Sequence, residues 1–205
     1  MKYYPAFLDL NSKKTIVVGG GSVAERKVSL LLKAGAAVKV ISPSLTSSLT
    51  RLKEQGLIKH LSRNYKKGDL NNAFIVIAAT SSPEINTKIA HESEHLVNVA
   101  SPPSEGNFIV PSIVKRGPLT LAISTEGSSP AVSKAVRKEI ELHYGKEFAR
   151  YLRFVEKVRK QAMQQIKNKG KREKFLKSLA SEESFYILRT EGYDAISQKV
   201  LSALG

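Results

Sequence analysis

The sequence contains no cysteine, and its 18 acidic side chains are outnumbered by 33 lysines and arginines. The missing cysteine excludes disulfides, thiolate-bound zinc, iron–sulfur clusters and cysteine nucleophiles. Long apolar runs are also missing, since the segment 74–79 is far shorter than the ~20 residues that span a bilayer. Pro5 and Asp9 stand where a signal peptide requires an apolar core. We therefore expect a cytoplasmic protein that does not enter a membrane.

The excess of basic side chains gives the chain a formal net charge of +15 at pH 7. A field of this sign attracts polyanions, and nucleic acid is the first candidate. A small substrate that carries many carboxylates would be attracted equally well. The net charge thus predicts a negatively charged partner and leaves its identity open.

The first half of the chain alternates between strand and helix patterns. "TIVVGG" is typical of a buried strand, "VAERKVSLLLKAG" of a helix that ends at Gly35, and "AAVKVIS" of a second strand. This alternation predicts an α/β fold with a Rossmann-like parallel sheet over roughly residues 10–113. Further strands are expected near 58–62, 74–80, 96–101 and 119–124, with helices near 45–55 and 83–93.

The second half of the chain changes to a helical pattern. Ser129 is a good N-cap, Pro130 occupies the first helical position, and Gly145 is a plausible stop. No strand pattern follows Lys146. Two helical segments are expected there, separated by "NKGKREK" as a charged, exposed turn. The pattern predicts a small α-helical domain at the end of the chain.

A glycine cluster stands between the first predicted strand and helix. Residues 19–24, "GGGSVA", fit the pattern G-x-G-x-x-G/A of dinucleotide-binding proteins. In that pattern Gly19 makes the tight turn, Gly21 lets the backbone approach a pyrophosphate, and the small Ala24 keeps the helix close to the sheet. The alternative is a glycine turn in an α/β domain that binds no nucleotide.

The acidic residue that usually binds the adenosine ribose is missing. No Asp or Glu lies between Glu25 and Glu54, and no basic residue between Val40 and Thr50 could receive a 2′-phosphate. The second strand is followed instead by "SPS", residues 42–44. A typical two-substrate dehydrogenase is not expected to have this sequence.

Several further motifs point to one family. "VVGGGSVAERK", "AAT", "VNV", "RGPL" and "ISTEGSSP" occur at spacings that resemble the precorrin-2 dehydrogenases of sirohaem biosynthesis. The resemblance implies an intertwined homodimer with a Rossmann domain (1–113), a dimerisation segment (114–147) and a helical domain (148–205). It also implies NAD-dependent oxidation of precorrin-2 to sirohydrochlorin. The lack of an acid after the second strand is then a trait of the family.

The resemblance also implies which residues form the site. The cofactor-binding residues would be Gly19, Gly21, Ser22, Val23, Pro43, Ser44 and Thr80. Asn98 and Ser129 would contact the substrate. Glu105, Ser124 and Ser101 are the candidates for catalysis, with Glu105 as the best remaining proton acceptor. For each of these side chains, a turn, cap or strand-end role is the structural alternative.

Ser101 departs from the family members that also insert iron. These members carry an aspartate at this position, and a hydroxyl without an adjacent base is a poor proton acceptor. We therefore expect a dedicated dehydrogenase with no metal site of its own and a separate ferrochelatase downstream. The alternative is a bifunctional dehydrogenase and sirohydrochlorin ferrochelatase.

Two other interpretations remain. A basic nucleic-acid-binding or regulatory protein could have a vestigial Rossmann domain, but Tyr151, Phe154 and Val158 share one helix face and are more simply core or dimer contacts. "HESEH", residues 91–95, matches the H-x-x-E-H motif of inverted zinc peptidases. Its context is a short helix followed by a strand, so a surface helix of mixed charge is the favoured interpretation.

Overall fold

Five parallel strands form the centre of the first part of the protein. In the computed structural model, which describes residues 2–204, the chain divides into two units at the bond between Val110 and Pro111. The strand order in the first unit is β3-β2-β1-β4-β5. The strands are β1 (Lys14–Val18), β2 (Ala37–Ile41), β3 (Ile58–Leu61), β4 (Ile75–Ala78) and β5 (Leu96–Val99), and the helices are α1 (Ser22–Lys33), α2 (Ser47–Glu54) and α3 (Pro83–Glu92). The predicted α/β fold is therefore confirmed.

The sheet is buried on both faces because its strands are apolar at successive positions. Val17 packs on one face with Val28 of α1 and Leu49 of α2. Its neighbour Ile16 points to the opposite face, where it packs with Ile89 of α3. This alternation follows from the two-residue period of a strand. Because helices cover both faces, nearly every position of β1 and β4 is buried, and the sequences of these strands are continuous apolar runs rather than alternating ones.

The order of the strands defines where a ligand can bind. The chain leaves β1 on one side to form β2 and β3, and returns on the other side as β4 and β5. In open parallel sheets of this kind, a crevice forms outside the carboxyl ends of the two strands where the order reverses. Here these strands are β1 and β4, and the glycine cluster follows β1 directly.

The second unit combines a two-stranded sheet with helices. Strands β6 (Ser112–Arg116) and β7 (Leu119–Ile123) pair antiparallel, and Gly117 makes the turn with a φ of 59°. The helices are α4 (Pro130–His143), α5 (Lys146–Gln165), α6 (Lys169–Ser178), α7 (Glu182–Thr190) and α8 (Tyr193–Leu204). The helical core surrounds Tyr151, whose hydroxyl donates a 2.7 Å hydrogen bond to the carbonyl of Leu179. No helix in the range 2–204 is both long enough and apolar enough to span a bilayer.

The second unit differs from the sequence expectations in three places. Strand β6 was not predicted, and the expected strand at 119–124 pairs with it rather than with the parallel sheet. The expected exposed turn "NKGKREK" is wrong, because Asn168 caps α6 by accepting a 3.0 Å hydrogen bond from the amide of Lys171. The last helical segment is two helices, broken at Gly192 with a φ of 89°. The three-part division of the chain stays a prediction.

The buried hydroxyl of Tyr151 should stabilise the helical core. Replacing Tyr151 with Phe leaves the carbonyl of Leu179 without its partner, and we expect a loss of ~1–2 kcal/mol in the free energy of unfolding. Chemical denaturation measures this loss. Tyr186→Phe is the control, because Tyr186 is 64% exposed, and an equal effect in the two variants would contradict the role of this hydrogen bond.

Candidate cofactor site

A cleft of about 650 Å³ lies at the carboxyl ends of β1, β2 and β4. Its walls are the turn after β1 (18–23), the loop after β2 (41–46), residues 64–65, and residues 79–82 with Ile85. This is the switch point that the strand order defines. None of these lining residues is charged, so the cleft offers a ligand backbone groups, hydroxyls and apolar surface.

Two glycines of the turn are required by the backbones that approach them. Gly19 has a φ of +121°, and a β-carbon there would overlap the carbonyl oxygen of Ala79. A β-carbon on Gly20 would overlap the carbonyl of Ser44 and the hydroxyl of Ser42. The turn after β1 therefore packs tightly between the loops that follow β2 and β4, and only glycine fits at both positions.

Gly21 has the opposite surroundings. A β-carbon built on Gly21 would meet no atom within 4 Å. Gly21 is the N-cap of α1, yet no side chain caps the first amides of this helix. Uncapped amides and the helix dipole make such an end a binding site for an anion such as a diphosphate. Ala24, which is fully buried, lets α1 pack closely against the sheet as the motif predicts.

The loop after β2 is fixed by hydrogen bonds of its own. The hydroxyl of Ser42 donates to the carbonyl of Ser44, and the carbonyl of Ser42 lies 2.9 Å from Nε2 of His60. The hydroxyl of Ser62 donates to the carbonyl of Pro43 over 3.3 Å. These bonds tie the loop to the end of β3. Where other dinucleotide sites carry an acid, this loop therefore presents backbone and hydroxyl groups to the cleft.

The carboxylate of Glu25, near the cleft, already accepts hydrogen bonds from the protein. Thr46 donates a 2.6 Å hydrogen bond to Oε2 of Glu25, and the amide of Thr46 donates to the carbonyl of Gly20 over 3.0 Å. Hydrogen bonds from Thr46 and then from Ser48 lower the pKa of Glu25. Thr46 therefore links α1, the glycine turn and the start of α2, which it caps.

A buried amide joins the loops that follow β4 and β5. Oδ1 of Asn86 accepts hydrogen bonds from the amide of Thr80 at 3.0 Å and its hydroxyl at 2.8 Å. Nδ2 of Asn86 donates to the carbonyl of Ser101 at 3.0 Å and to that of Thr80 at 3.3 Å. Asn86 is completely buried. It therefore fixes Thr80, on the wall of the cleft, relative to Ser101.

The structure brings all of the predicted cofactor residues to this cleft. They come from three separate loops, and each of them lines it: Gly19, Gly21, Ser22, Val23, Pro43, Ser44 and Thr80. Sequence reasoning omitted Gly20 and Asn86. Gly20 occupies an unspecified position of the motif, so the motif gave no signal. Asn86 is a polar residue on the buried face of α3, three residues before the buried Ile89, and that placement was the only available signal.

The remaining predicted residues of the first unit lie outside the walls of the cleft. Asn98 is buried in β5 and donates a 3.1 Å hydrogen bond to the carbonyl of Phe108. Ser101 is exposed just beyond the end of β5. Glu105 ends a short 3₁₀ turn, and its carboxylate is 3.7 Å from Nε2 of His91. Their predicted roles in catalysis and substrate binding stay predictions.

Two predicted residues belong to the second unit. The hydroxyl of Ser124 accepts a 3.0 Å hydrogen bond from the amide of Glu126. Ser129 is the N-cap of α4, as expected, and accepts a 3.2 Å hydrogen bond from the amide of Val132. Both hydroxyls therefore have local structural partners, and their predicted contacts with substrate stay predictions.

The zinc-peptidase motif does not form a metal-binding helix face. Helix α3 ends at Glu92 and Ser93 is its C-cap, so His91 and His95 do not lie one turn apart on a helix. Over residues 2–204, no cluster of three or more His, Asp or Glu side chains is arranged to hold a metal ion.

Comparison with known proteins agrees with the fold and the cleft. Parallel strands, a glycine turn and an uncapped helix end define a nucleotide-binding α/β protein. Residues 6–112 match the family described as "Putative NAD(P)-binding", and residues 116–143 match "Sirohaem biosynthesis protein central". The chain therefore belongs to this NAD(P)-binding family, and the site is one for a nicotinamide dinucleotide.

Relatives extend the match to the full chain. The solved structure of SirC, a precorrin-2 dehydrogenase, superposes with a TM-score of 0.82 at 28% identity, covering 98% of this chain and 100% of that one. Siroheme synthases of Mannheimia succiniciproducens and Thioalkalivibrio sulfidiphilus are 32% and 35% identical over 98% and 100% of this chain. The chain spans 43% and 42% of their lengths. The resemblance predicted from the motifs is confirmed.

The two glycines with different surroundings should respond differently to alanine. Gly20→Ala pushes a β-carbon into the loop after β2, and we expect a loss of about 3 kcal/mol in the free energy of unfolding. Gly21→Ala should change it by less than ~0.5 kcal/mol, because the added carbon meets open space in an extended backbone. Denaturation of both variants tests this contrast, and similar stabilities would refute it.

Replacing Asn86 with aspartate, which has the same shape but carries a charge, should destabilise the protein. Asn86→Asp places a carboxylate oxygen against the carbonyls of Ser101 and Thr80, and we expect a loss of about 2–3 kcal/mol at neutral pH. Asn72→Asp, at an exposed position, is the control. Thermal and chemical unfolding measure the difference, and an unchanged Asn86→Asp protein would contradict the bridging role.

Proposed function

We propose that this protein catalyses the NAD-dependent dehydrogenation of precorrin-2 to sirohydrochlorin in sirohaem biosynthesis. The observation that carries the proposal is the likeness to SirC, a precorrin-2 dehydrogenase, over essentially the whole length of both chains. The nicotinamide-dinucleotide site gives that likeness a chemical basis. Such a cofactor, when bound, accepts a hydride from the substrate.

The cleft fits this cofactor by its shape and by its donors. The amides at the start of α1 would bind the diphosphate, and the open space at Gly21 would let it approach the backbone. Pro43 and Ser44 would face the adenosine ribose, and Thr80 would line the path on the far side of the glycine turn. Thr80 would be held there by the buried Asn86.

The uncharged lining of the cleft favours NAD over NADP. A 2′-phosphate carries negative charge, and its burial requires a lysine, an arginine or another strong donor. No such cation is among the lining residues, and the hydroxyl of Ser42 is engaged with Ser44. We therefore propose NAD as the natural cofactor.

Most of the catalytic effect would come from positioning. A hydride moves between two carbons, so the protein has to hold them in contact and keep them oriented. Of the catalytic candidates we favour Ser101, which is exposed just past β5 and tied through Asn86 to Thr80. Glu105 and Ser124 remain candidates for proton transfer and orientation, and Asn98 and Ser129 for substrate contacts.

The substrate class also accounts for the charge. Precorrin-2 has eight carboxylates, and a chain with a net charge of +15 attracts it over a distance set by the ionic strength. We further propose that the enzyme works as a homodimer in the cytoplasm. Because a serine replaces the aspartate expected in iron-inserting relatives, we propose that a separate ferrochelatase acts next.

Turnover by the purified protein tests the proposal directly. With precorrin-2 and NAD, we expect formation of sirohydrochlorin and NADH, followed by absorbance. Gly21→Asp should remove turnover and NAD binding, because its carboxylate can cap the first amides of α1 and repel the diphosphate. Gly145→Asp is a matched control, since Gly145 is also an N-cap glycine with no atom near its built β-carbon.

The results separate the competing functions. A folded Gly21→Asp protein with full activity would refute the placement of the cofactor. Iron or cobalt insertion well above the uncatalysed rate would show the bifunctional alternative and contradict our interpretation of Ser101. Tight binding of duplex DNA without oxidoreductase activity would instead favour the nucleic-acid-binding protein.

A further inference from the structure

A paired arginine follows β3, next in sequence to two residues that hold the loop after β2. The amide of Ser42 donates to the carbonyl of Leu61 over 3.1 Å, and the hydroxyl of Ser62 reaches the carbonyl of Pro43. Arg63 therefore follows Ser62, a residue that contacts this loop directly. Asn64, which follows Arg63, lines the cleft itself.

The guanidinium of Arg63 forms a bidentate pair with the carboxylate of Asp69. Nη1 donates to Oδ2 of Asp69 at 2.7 Å and Nη2 donates to Oδ1 at 2.6 Å. Nη1 also donates to the carbonyl of Asn64 over 2.9 Å. A bidentate pair of this kind is among the stronger polar contacts in proteins and fixes the plane of the guanidinium. Arg63 thus has its charge neutralised and its orientation set.

Asp69 is held in place from several sides. Its side chain is only 11% exposed, and Oδ2 also accepts a 2.8 Å hydrogen bond from the amide of Lys66. The hydrogen bond from Arg63 is the largest cause that lowers the pKa of Asp69, and the positive charge of Lys39 also lowers it. Asp69 is therefore a fixed, ionised partner at neutral pH.

A cation close in sequence to the cleft bears on the choice between NAD and NADP. Where a dinucleotide site carries an acid after β2, that acid selects NAD, and a nearby arginine admits the 2′-phosphate of NADP. This chain has the nearby arginine and lacks the acid. We propose that Asp69 makes the site selective for NAD by occupying Arg63, which would otherwise neutralise a 2′-phosphate at the loop after β2. This inference rests on the proposed cofactor site.

Calorimetric titration with NAD and with NADP tests the role of Asp69. In Asp69→Asn, one oxygen remains for the amide of Lys66 while the bidentate pair with Arg63 is lost. We expect NADP affinity to rise by about tenfold, the effect of one charge-assisted contact at a half-exposed site. NAD affinity should change by less than about twofold, because NAD presents no charge at the 2′ position. The gain for NADP should shrink as salt is added.

Removing Arg63 identifies the cation responsible. The double variant Arg63→Ala with Asp69→Asn should lose the gain for NADP. Arg63→Ala alone should leave both affinities nearly unchanged, because the wild-type arginine is already occupied. If the double variant keeps the gain, another cation such as Lys39 provides it, and the proposal fails. A folded Asp69→Asn protein with an unchanged ratio of affinities would also overturn it.

The wild-type protein separates this inference from the proposed function. If wild type binds neither NAD nor NADP, the cofactor site itself is wrong. If wild type binds NAD and the variants leave the ratio unchanged, only the role of Asp69 falls. Should Asp69→Asn fail to fold, Arg63→Ala still tests the proposal. A tenfold loss of NADP affinity in that variant would show that Arg63 is free in the wild-type protein and would refute the role of Asp69.

Discussion

Close contact between three backbones determines the site on this protein. Gly19 and Gly20 lie against Ala79 on one side and the loop of Ser42 and Ser44 on the other, at distances that leave no room for a β-carbon. The carboxyl ends of β1, β2 and β4 therefore converge on one point. Helix α1 starts from that point with uncapped amides, and the cleft forms in front of them.

Hydrogen bonds between loops then stabilise what the glycines bring together. Thr46 connects the glycine turn to α2 and Glu25, and Asn86 connects the loop after β4 to Ser101. The loop after β2 is tied to β3 through His60 and Ser62. A preorganised wall of this kind can orient a cofactor without charged side chains, which suits a reaction that depends mainly on placing two carbons in contact.

The large positive charge and the uncharged cleft have different functions in this interpretation. The cleft would bind a dinucleotide through backbone amides and neutral groups, while the charge of the whole chain would attract the proposed polycarboxylate substrate. A cation inside the cleft would weaken selection of NAD over NADP. Arg63, which precedes the cleft residue Asn64, is paired with Asp69, and this pair would neutralise a cation near the cleft without lowering the number of basic residues.

The sequence by itself determined the parallel sheet, the glycine turn and the family, because these depend on local patterns: apolar runs, glycine spacing and short motifs. It also placed Ser129 correctly as a cap. Only the tertiary structure decided that Gly20 has no room for a β-carbon, that Asn86 bridges two loops, and that β6 pairs with β7. It also showed that Glu105 faces His91 and that Arg63 is paired with Asp69. These facts depend on which distant backbones and side chains meet, and no spacing along the chain encodes that directly.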